Sequence, residues 1–279
     1  MRVSPATTQR LAVACMWLLA GITFAVLVFI LAFILVHGLP HVTWSFLSQS
    51  PTSMGREGGI FPMILGTLFV AGLAVLLAAP IGVATAVYLT EYTRAGRLTA
   101  VIRFGADCLA GVPSIIFGLF GFVFFAIALG MGLSVLSGSL TLALMVLPTI
   151  IRTSEEAIRA VPNSYREVSW GLGGTRWQTV FYVVLRAALP GIATGIVLSL
   201  GRSISETAAV MLTAGSALRL PRSLFDSSRT LALHFYLLSR EGISMPNAYA
   251  TASVLIIAIL ALNLLAYALM RRFAVKVGR

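Results

Sequence analysis

The run Leu11–Val36, LAVACMWLLAGITFAVLVFILAFILV, holds 26 residues and no charge. A helix crossing a bilayer needs about 20 consecutive apolar residues, so this stretch predicts a spanning helix. It is too long for a signal-peptide core and no small-residue cleavage site follows, so it reads as a retained anchor. Five further regions repeat the pattern. Gly66–Leu89 contains Pro80, and Leu109–Leu129 leads through a tight Gly130-Met131-Gly132 turn into Leu133–Ile151. The fifth opens near Ala187. Its uncharged part stops at Gly201, Arg202 and Glu206 follow, and apolar sequence resumes through Ala217. The sixth, Ala248–Met270, has 23 residues and no charge. These regions predict an all-α polytopic membrane protein with six transmembrane helices over residues 11–270, between tails at 1–10 and 271–279.

The composition agrees. Of 279 residues, 58% are apolar and 10% charged, against about 25% charged in a soluble domain. A soluble enzyme and a disordered chain are thereby excluded. The net charge is +11, and nineteen of twenty cations are Arg, with Lys276 the exception. In a soluble chain such a balance suggests nucleic acid; here the cations flank apolar runs, as topology signals do, and no nucleic-acid partner is expected. With the N-terminus in the cytoplasm, fourteen cations fall inside and five (Arg56, Arg219, Arg222, Arg229, Arg240) outside, most of these in a long outer loop at 218–247. Both ends are therefore expected in the cytoplasm. Cys15 and Cys108 form no CxxC, and His37, His41 and His234 match no zinc spacing. Gly118 with Gly121, and Gly191 with Gly195, are small-residue pairs suited to close helix packing in lipid.

The segment 152–186 carries unusual punctuation for a connecting loop. Thr153-Ser154-Glu155-Glu156, Ser164-Tyr165-Arg166-Glu167 and Thr175-Arg176-Trp177-Gln178 each read as a capping box, a hydroxyl paired with a carboxyl or amide three residues on. Pro162-Asn163 should stop the first helix. Tyr165, Val168 and Leu172 give the second an apolar stripe, and Gly173-Gly174 can close it in a left-handed cap. Two short helices outside the membrane are expected. Either they lie on lipid as an interfacial amphipathic segment or they form a docking surface for a soluble partner.

The same segment resembles the cytoplasmic motif of bacterial ABC import permeases, written EAA, three residues, Gly, nine residues, Ile-x-Leu-Pro. Glu167-Val168-Ser169 is followed at the right spacing by Gly173, and then by Val183-Val184-Leu185-Arg186. Both alanines are replaced, Val stands for Ile, and Arg186 stands where Pro is expected. Elsewhere Gly58–Leu68, Ala86–Tyr92, Leu109–Leu119 and Gly201–Ala208 resemble segments of phosphate permeases. In the last, Ser203 and Ser205 replace the Ala and Gly of Gly-Arg-Ala-x-Gly-Glu-Thr. The resemblance runs from about Gly58 to Met270 and fits the PstA type better than the PstC type. It implies the six-span type I importer bundle. It also implies a homologous PstC-type permease, two PstB-type ATPase subunits and a periplasmic PstS-type phosphate-binding protein as partners. Glu167, Val168, Ser169, Gly173, Gly174 and Leu185 would then couple to the ATPase.

No phosphate-binding loop, paired-carboxylate site, HExxH or nucleophile elbow is present. The chain is read as a non-catalytic transport subunit that binds no cofactor, with ATP and Mg on the partner ATPase. An ion-coupled secondary transporter would need intramembrane acidic groups. Only Glu206 lies deep in a span region; Glu91 and Asp107 sit at span ends. A membrane enzyme would need a catalytic cluster, and none is visible. Sulfate or molybdate would suit the same basic and hydroxyl groups as phosphate. Arg202 and Glu206, four apart, would share a helix face. They read either as an ion pair that orders the bundle or as a pathway in which Arg202 meets the anion, with Ser203, Ser205 and Thr207 as nearby hydroxyls.

Overall fold

A computed structural model describes residues 5–93 and 96–277. The tail residues 1–4 and 278–279 lie outside the described set. Among the described residues, five helices are long and apolar enough to cross a membrane, and a bent pair supplies the sixth span. Helix α1 (Pro5–Gly38) leads through α2 (Trp44–Ser48) into a small hairpin, β1 (Pro51–Thr52) paired antiparallel with β2 (Glu57–Gly58), Pro51 opposite Gly58. Then come α3 (Phe61–Val87), α4 (Arg97–Ala110), α5 (Ser114–Gly121) and α6 (Val135–Arg159). The short α7 (Asn163–Gly171) and α8 (Arg176–Gln178) precede α9 (Leu185–Ser205). The chain closes with α10 (Ala208–Thr213), α11 (Leu231–Arg240) and α12 (Met245–Val277). Wide π turns extend α3 through Tyr88–Tyr92 and α5 through Phe122–Ala128, and join α8 to α9 over Thr179–Val184.

The central core lies where α3 crosses α6. Val70, Ala74 and Ala78 pack there with Leu142, Val146 and Ile150, and Phe117, Val210 and Leu233 close the sides. A second cluster, nearer α7, joins Ala86, Ile158, Val184, Ala188 and Ile192. Small residues set the spacing, because lipid gives no hydrophobic drive between helices and close van der Waals packing must hold them. A Cβ at Gly118 would fall 2.9 Å from the Ala209 Cα, and one at Gly191 2.6 Å from the Ala157 Cβ. Both glycine pairs of the sequence thus sit at helix crossings. Among the described residues, helix α1 packs on α12 through its last turns. Ser253 Oγ donates to the Ile34 carbonyl at 3.2 Å, and Tyr249 meets Phe33 edge-on at 6.0 Å. From Gln9 to Ile30, α1 leaves its apolar surface exposed.

Four expectations are corrected. Thr153 starts no helix: α6 runs unbroken to Arg159, and the Thr153 hydroxyl donates to the Thr149 carbonyl at 2.8 Å, inside the helix. The apolar packing of Ile150, Ile151 and Ile158 carries α6 through, and a helix-internal Thr turns its hydroxyl back on its own backbone. Ser164 is likewise not a cap. Helix α7 begins two residues earlier than such a cap would place it, after Pro162, whose φ of −56° and ψ of 140° turn the chain. The third span does not run unbroken from Leu109: Gly111, Val112 and Pro113 interrupt it near its start, and the helix Ser114–Ala128 meets the preceding Thr99–Ala110 at 101°, since a residue before proline avoids the helical region. Finally, the fifth span begins well before Ala187, as one rod from Arg176 to Ser205. Arg186 does not interrupt it because its guanidinium is exposed and lies 5.6 Å from the Tyr182 ring. Its apolar stem can lie along the helix while the charged head reaches out.

Candidate functional site

Two places carry chemistry, one at the α7 end of the bundle and one at the broken end of α9.

Helix α7 buries none of its residues. Tyr165, Val168, Trp170 and Leu172 are all exposed, Leu172 by 85%. Tyr165, Val168, Ser169, Leu172 and Gly174 line an open groove with Val183, about 550 Å³ in volume. The expected glycine cap is present. The Gly173 N–H donates to the Trp170 carbonyl and the Gly174 N–H to the Ser169 carbonyl, each at 2.9 Å, with Gly173 at φ +82°. That double bond is the Schellman arrangement, which satisfies the last carbonyls and ends the helix sharply. Thr175 then forms the third capping box with Gln178, as expected, and Ser169 Oγ lies 2.8 Å from Thr179 Oγ1, bridging back to the next rod. Glu167 is exposed. Leu185 is half-buried beside the second core cluster, so it belongs to the rod below the groove rather than to the exposed face.

What fixes α7 to the bundle is a group that sequence reasoning did not select. The Glu91 carboxylate, in the π turn ending α3, accepts from Arg166 Nη2 at 2.6 Å and from Arg166 Nε at 3.2 Å. Both side chains are nearly enclosed, at 11% and 10% exposure. Arg166 also donates to the Val161 carbonyl at 2.9 Å and the Ile158 carbonyl at 3.2 Å, capping the end of α6. Arg176, 5.2 Å from the Tyr92 ring, donates to the backbone carbonyl of Glu91. Removing one member of an enclosed ion pair costs about 3–5 kcal/mol, because the other charge is left without a partner. Nearby, Glu155 accepts from Arg103 at 2.7 Å and Arg159 at 2.5 Å, and Arg152 pairs with Asp107 at 2.8 Å. Glu91 and Arg166 lie 75 residues apart, so no local pattern could have joined them.

At the other site, Arg202 and Glu206 do not share a helix face. Helix α9 ends at Ser205, and Glu206 is extended at φ −73° and ψ 132°. Its carboxylate instead accepts from the Ala209 N–H at 3.4 Å, satisfying a donor at the start of α10. No ion pair links Arg202 and Glu206 among the described residues. Arg202 is exposed on the single chain, while Ser203 is buried with its hydroxyl unpartnered. Ser205 donates to the Gly201 carbonyl at 2.8 Å, and Thr207 sits in the break. Helices α6 and α9 run antiparallel, with Gly191 against Ala157 and Gly195 against Thr153. Further along, the Ser134 N–H at the start of α6 donates to the Thr213 carbonyl, so Arg202, between Gly195 and Thr213 in the chain, falls between the Thr153 and Ser134 levels of α6.

A multi-pass helical bundle with a bare, sharply capped helix riveted at one end defines an integral membrane protein with a surface free for a partner. Residues 78–279 match the model of the binding-protein-dependent transport system inner membrane component. The probable ABC transporter permease protein YqgI of Bacillus subtilis is 33% identical over 276 residues, covering 93% of this chain and 94% of that protein. The phosphate transport system permease protein PstA 1 of Mycobacterium tuberculosis is 39% identical over 212 residues, 75% of this chain and 69% of that protein. Among solved structures, a chain of a bacterial alginate ABC transporter superposes with a TM-score of 0.67 at 14% identity, covering 94% of this chain and 96% of that one. The chain belongs to the binding-protein-dependent inner-membrane component family, as an ABC importer permease of the PstA type.

Proposed function

We propose that the chain is the permease subunit of an ATP-driven inorganic phosphate importer in a bacterial cytoplasmic membrane. It forms half of the translocation pathway beside a homologous PstC-type permease. Two PstB-type ATPase subunits supply the energy, and a periplasmic PstS-type protein delivers phosphate. The observation that carries the substrate is the 39% identity with a permease named for phosphate transport. With both termini cytoplasmic, the α7 end faces the cytoplasm and the exposed stripe Tyr165, Val168 and Leu172, with Glu167, Ser169, Gly173 and Gly174, is the ATPase docking surface. Arg202 is the pathway residue. An arginine at mid-depth costs roughly 2.5–3.5 kcal/mol against lipid, so its exposed face belongs on water or on the neighbouring permease. Its forked donors suit a tetrahedral oxyanion.

The test is uptake of labelled phosphate by cells lacking the native gene and carrying either the chain or its Arg202→Gln variant at matched expression. The chain should restore uptake, with excess sulfate and molybdate failing to compete, and the variant should not. Competition by sulfate would replace phosphate with another oxyanion, and normal uptake by Arg202→Gln would remove that residue from the pathway.

A further inference from the structure

We propose that Glu91 and Arg166 are positioning residues for energy coupling: the pair welds the docking helix to the second span, so that movement of α7 is delivered to α3 rather than lost in a loose loop. The inference rests on the reading of α7 as the ATPase docking surface.

The geometry supports a weld. Helix α7 has only nine residues and buries none of them, so packing alone cannot hold it against a moving partner. Instead polar contacts hold it, the Ser169–Thr179 hydroxyl bridge on one side and, with most of the bonds, the Arg166 guanidinium. Nε and Nη2 reach the Glu91 carboxylate, Nη2 also reaches the Ile158 carbonyl, and Nη1 reaches Val161 and, at 3.4 Å, Asn163 Oδ1. All donor directions of the fork are used, which fixes orientation as well as distance. Arg176, from α8, donates to the Glu91 backbone carbonyl as well. The acceptor stands on the last turn of α3, and α3 is the main packing partner of α6 in the central core. A displacement of α7 therefore pulls on two spans through a rigid joint, and rigid elements with few soft links are what carry coupling between distant sites.

The joint is tested in the purified complex reconstituted in liposomes with its ATPase and the phosphate-loaded binding protein. Glu91→Gln removes the charge. A second variant, Glu91→Met with Arg166→Met, keeps volume while removing both charges, so it avoids a stranded ion and folds if the single variant does not. Each variant is compared with wild type for ATPase retained on the permease, ATP hydrolysed, and labelled phosphate imported per ATP. The expected result is ATPase retained, hydrolysis continuing, and import per ATP falling about fivefold. Import per ATP at the wild-type value in the double variant would overturn the weld. The reading beneath it fails separately: Val168→Asp with Leu172→Asp should release the ATPase, and full retention would show that α7 is not the docking surface.

Discussion

His234 shows how one buried side chain can tie a whole loop region to pH. It lies in α11 with 1% exposure, between Gly55 of the hairpin and Arg229, whose Nη1 donates to its Nδ1 at 3.4 Å. Burial first, and the neighbouring Arg229 charge second, push its pKa from 6.5 down to about 3. The folded state therefore refuses a proton that the unfolded chain accepts. Stability is unaffected above the unfolded value and is lost progressively as pH falls from about 6.5 toward about 3, at up to about 1.4 kcal/mol per pH unit. Thermal unfolding of the detergent-solubilised permease should shift downward on acidification from pH 7 to 5. His234→Gln should flatten that slope; an equal slope in the variant would place the sensitivity elsewhere. Arg202 belongs to the same scale, and there the pattern of four-residue spacing misled. Spacing implies a shared face only while the helix lasts, and the break after Ser205 gives Glu206 a backbone donor to accept from instead.

At the scale of elements, helix ends decide most of what is distinctive. Gly173 is the one position in the α7 cap that needs a left-handed backbone, φ +82°, and nothing lies near its Cβ direction. Strain, not crowding, therefore sets the effect of Gly173→Val, since a β-branched residue resists positive φ. The cap should loosen at about 1–3 kcal/mol, with weaker ATPase co-purification and lower phosphate uptake; both at wild-type level would show that the Schellman end is dispensable. Proline acts differently by context. Pro80, Pro148 and Pro190 sit within continuous helices, where neighbouring helices tolerate the lost bond. Pro113 follows Gly111 and Val112, and there the chain bends by 101°. The boundary of an apolar run also misplaces helix ends. With its π turn, α3 covers 32 residues, about 48 Å, well beyond the roughly 30 Å hydrocarbon core. That surplus is what lets Glu91 stand clear of the lipid and meet Arg166.

For the whole molecule, six passes with α7 at one end and the hairpin with α11 at the other fix relative sidedness, and the cations choose its absolute sense. Reporter fusions after Arg97, Tyr165 and Arg279 should read cytoplasmic, and those after Gly55 and Ser228 periplasmic. A periplasmic signal at Tyr165 would overturn the docking surface together with the weld, because the ATPase is soluble in the cytoplasm. Exposed Trp44 near the hairpin and exposed Trp177, Phe181 and Tyr182 near α8 bracket the spans, as aromatic residues do at membrane interfaces.

Hydropathy by itself determined the class, the number of crossings and the order of the spans, because burying backbone in lipid requires long uninterrupted apolar helices. Local chemistry determined the Gly173 cap and the Thr175 box, whose partners lie within five residues. Only the tertiary structure decided which polar groups meet. Glu91 found Arg166, Glu206 turned to Ala209, and Thr153 and Ser164 surrendered their expected caps. A charge near a helix end pairs with whatever packing brings within 3 Å, and in this chain packing sets that partner across 75 residues.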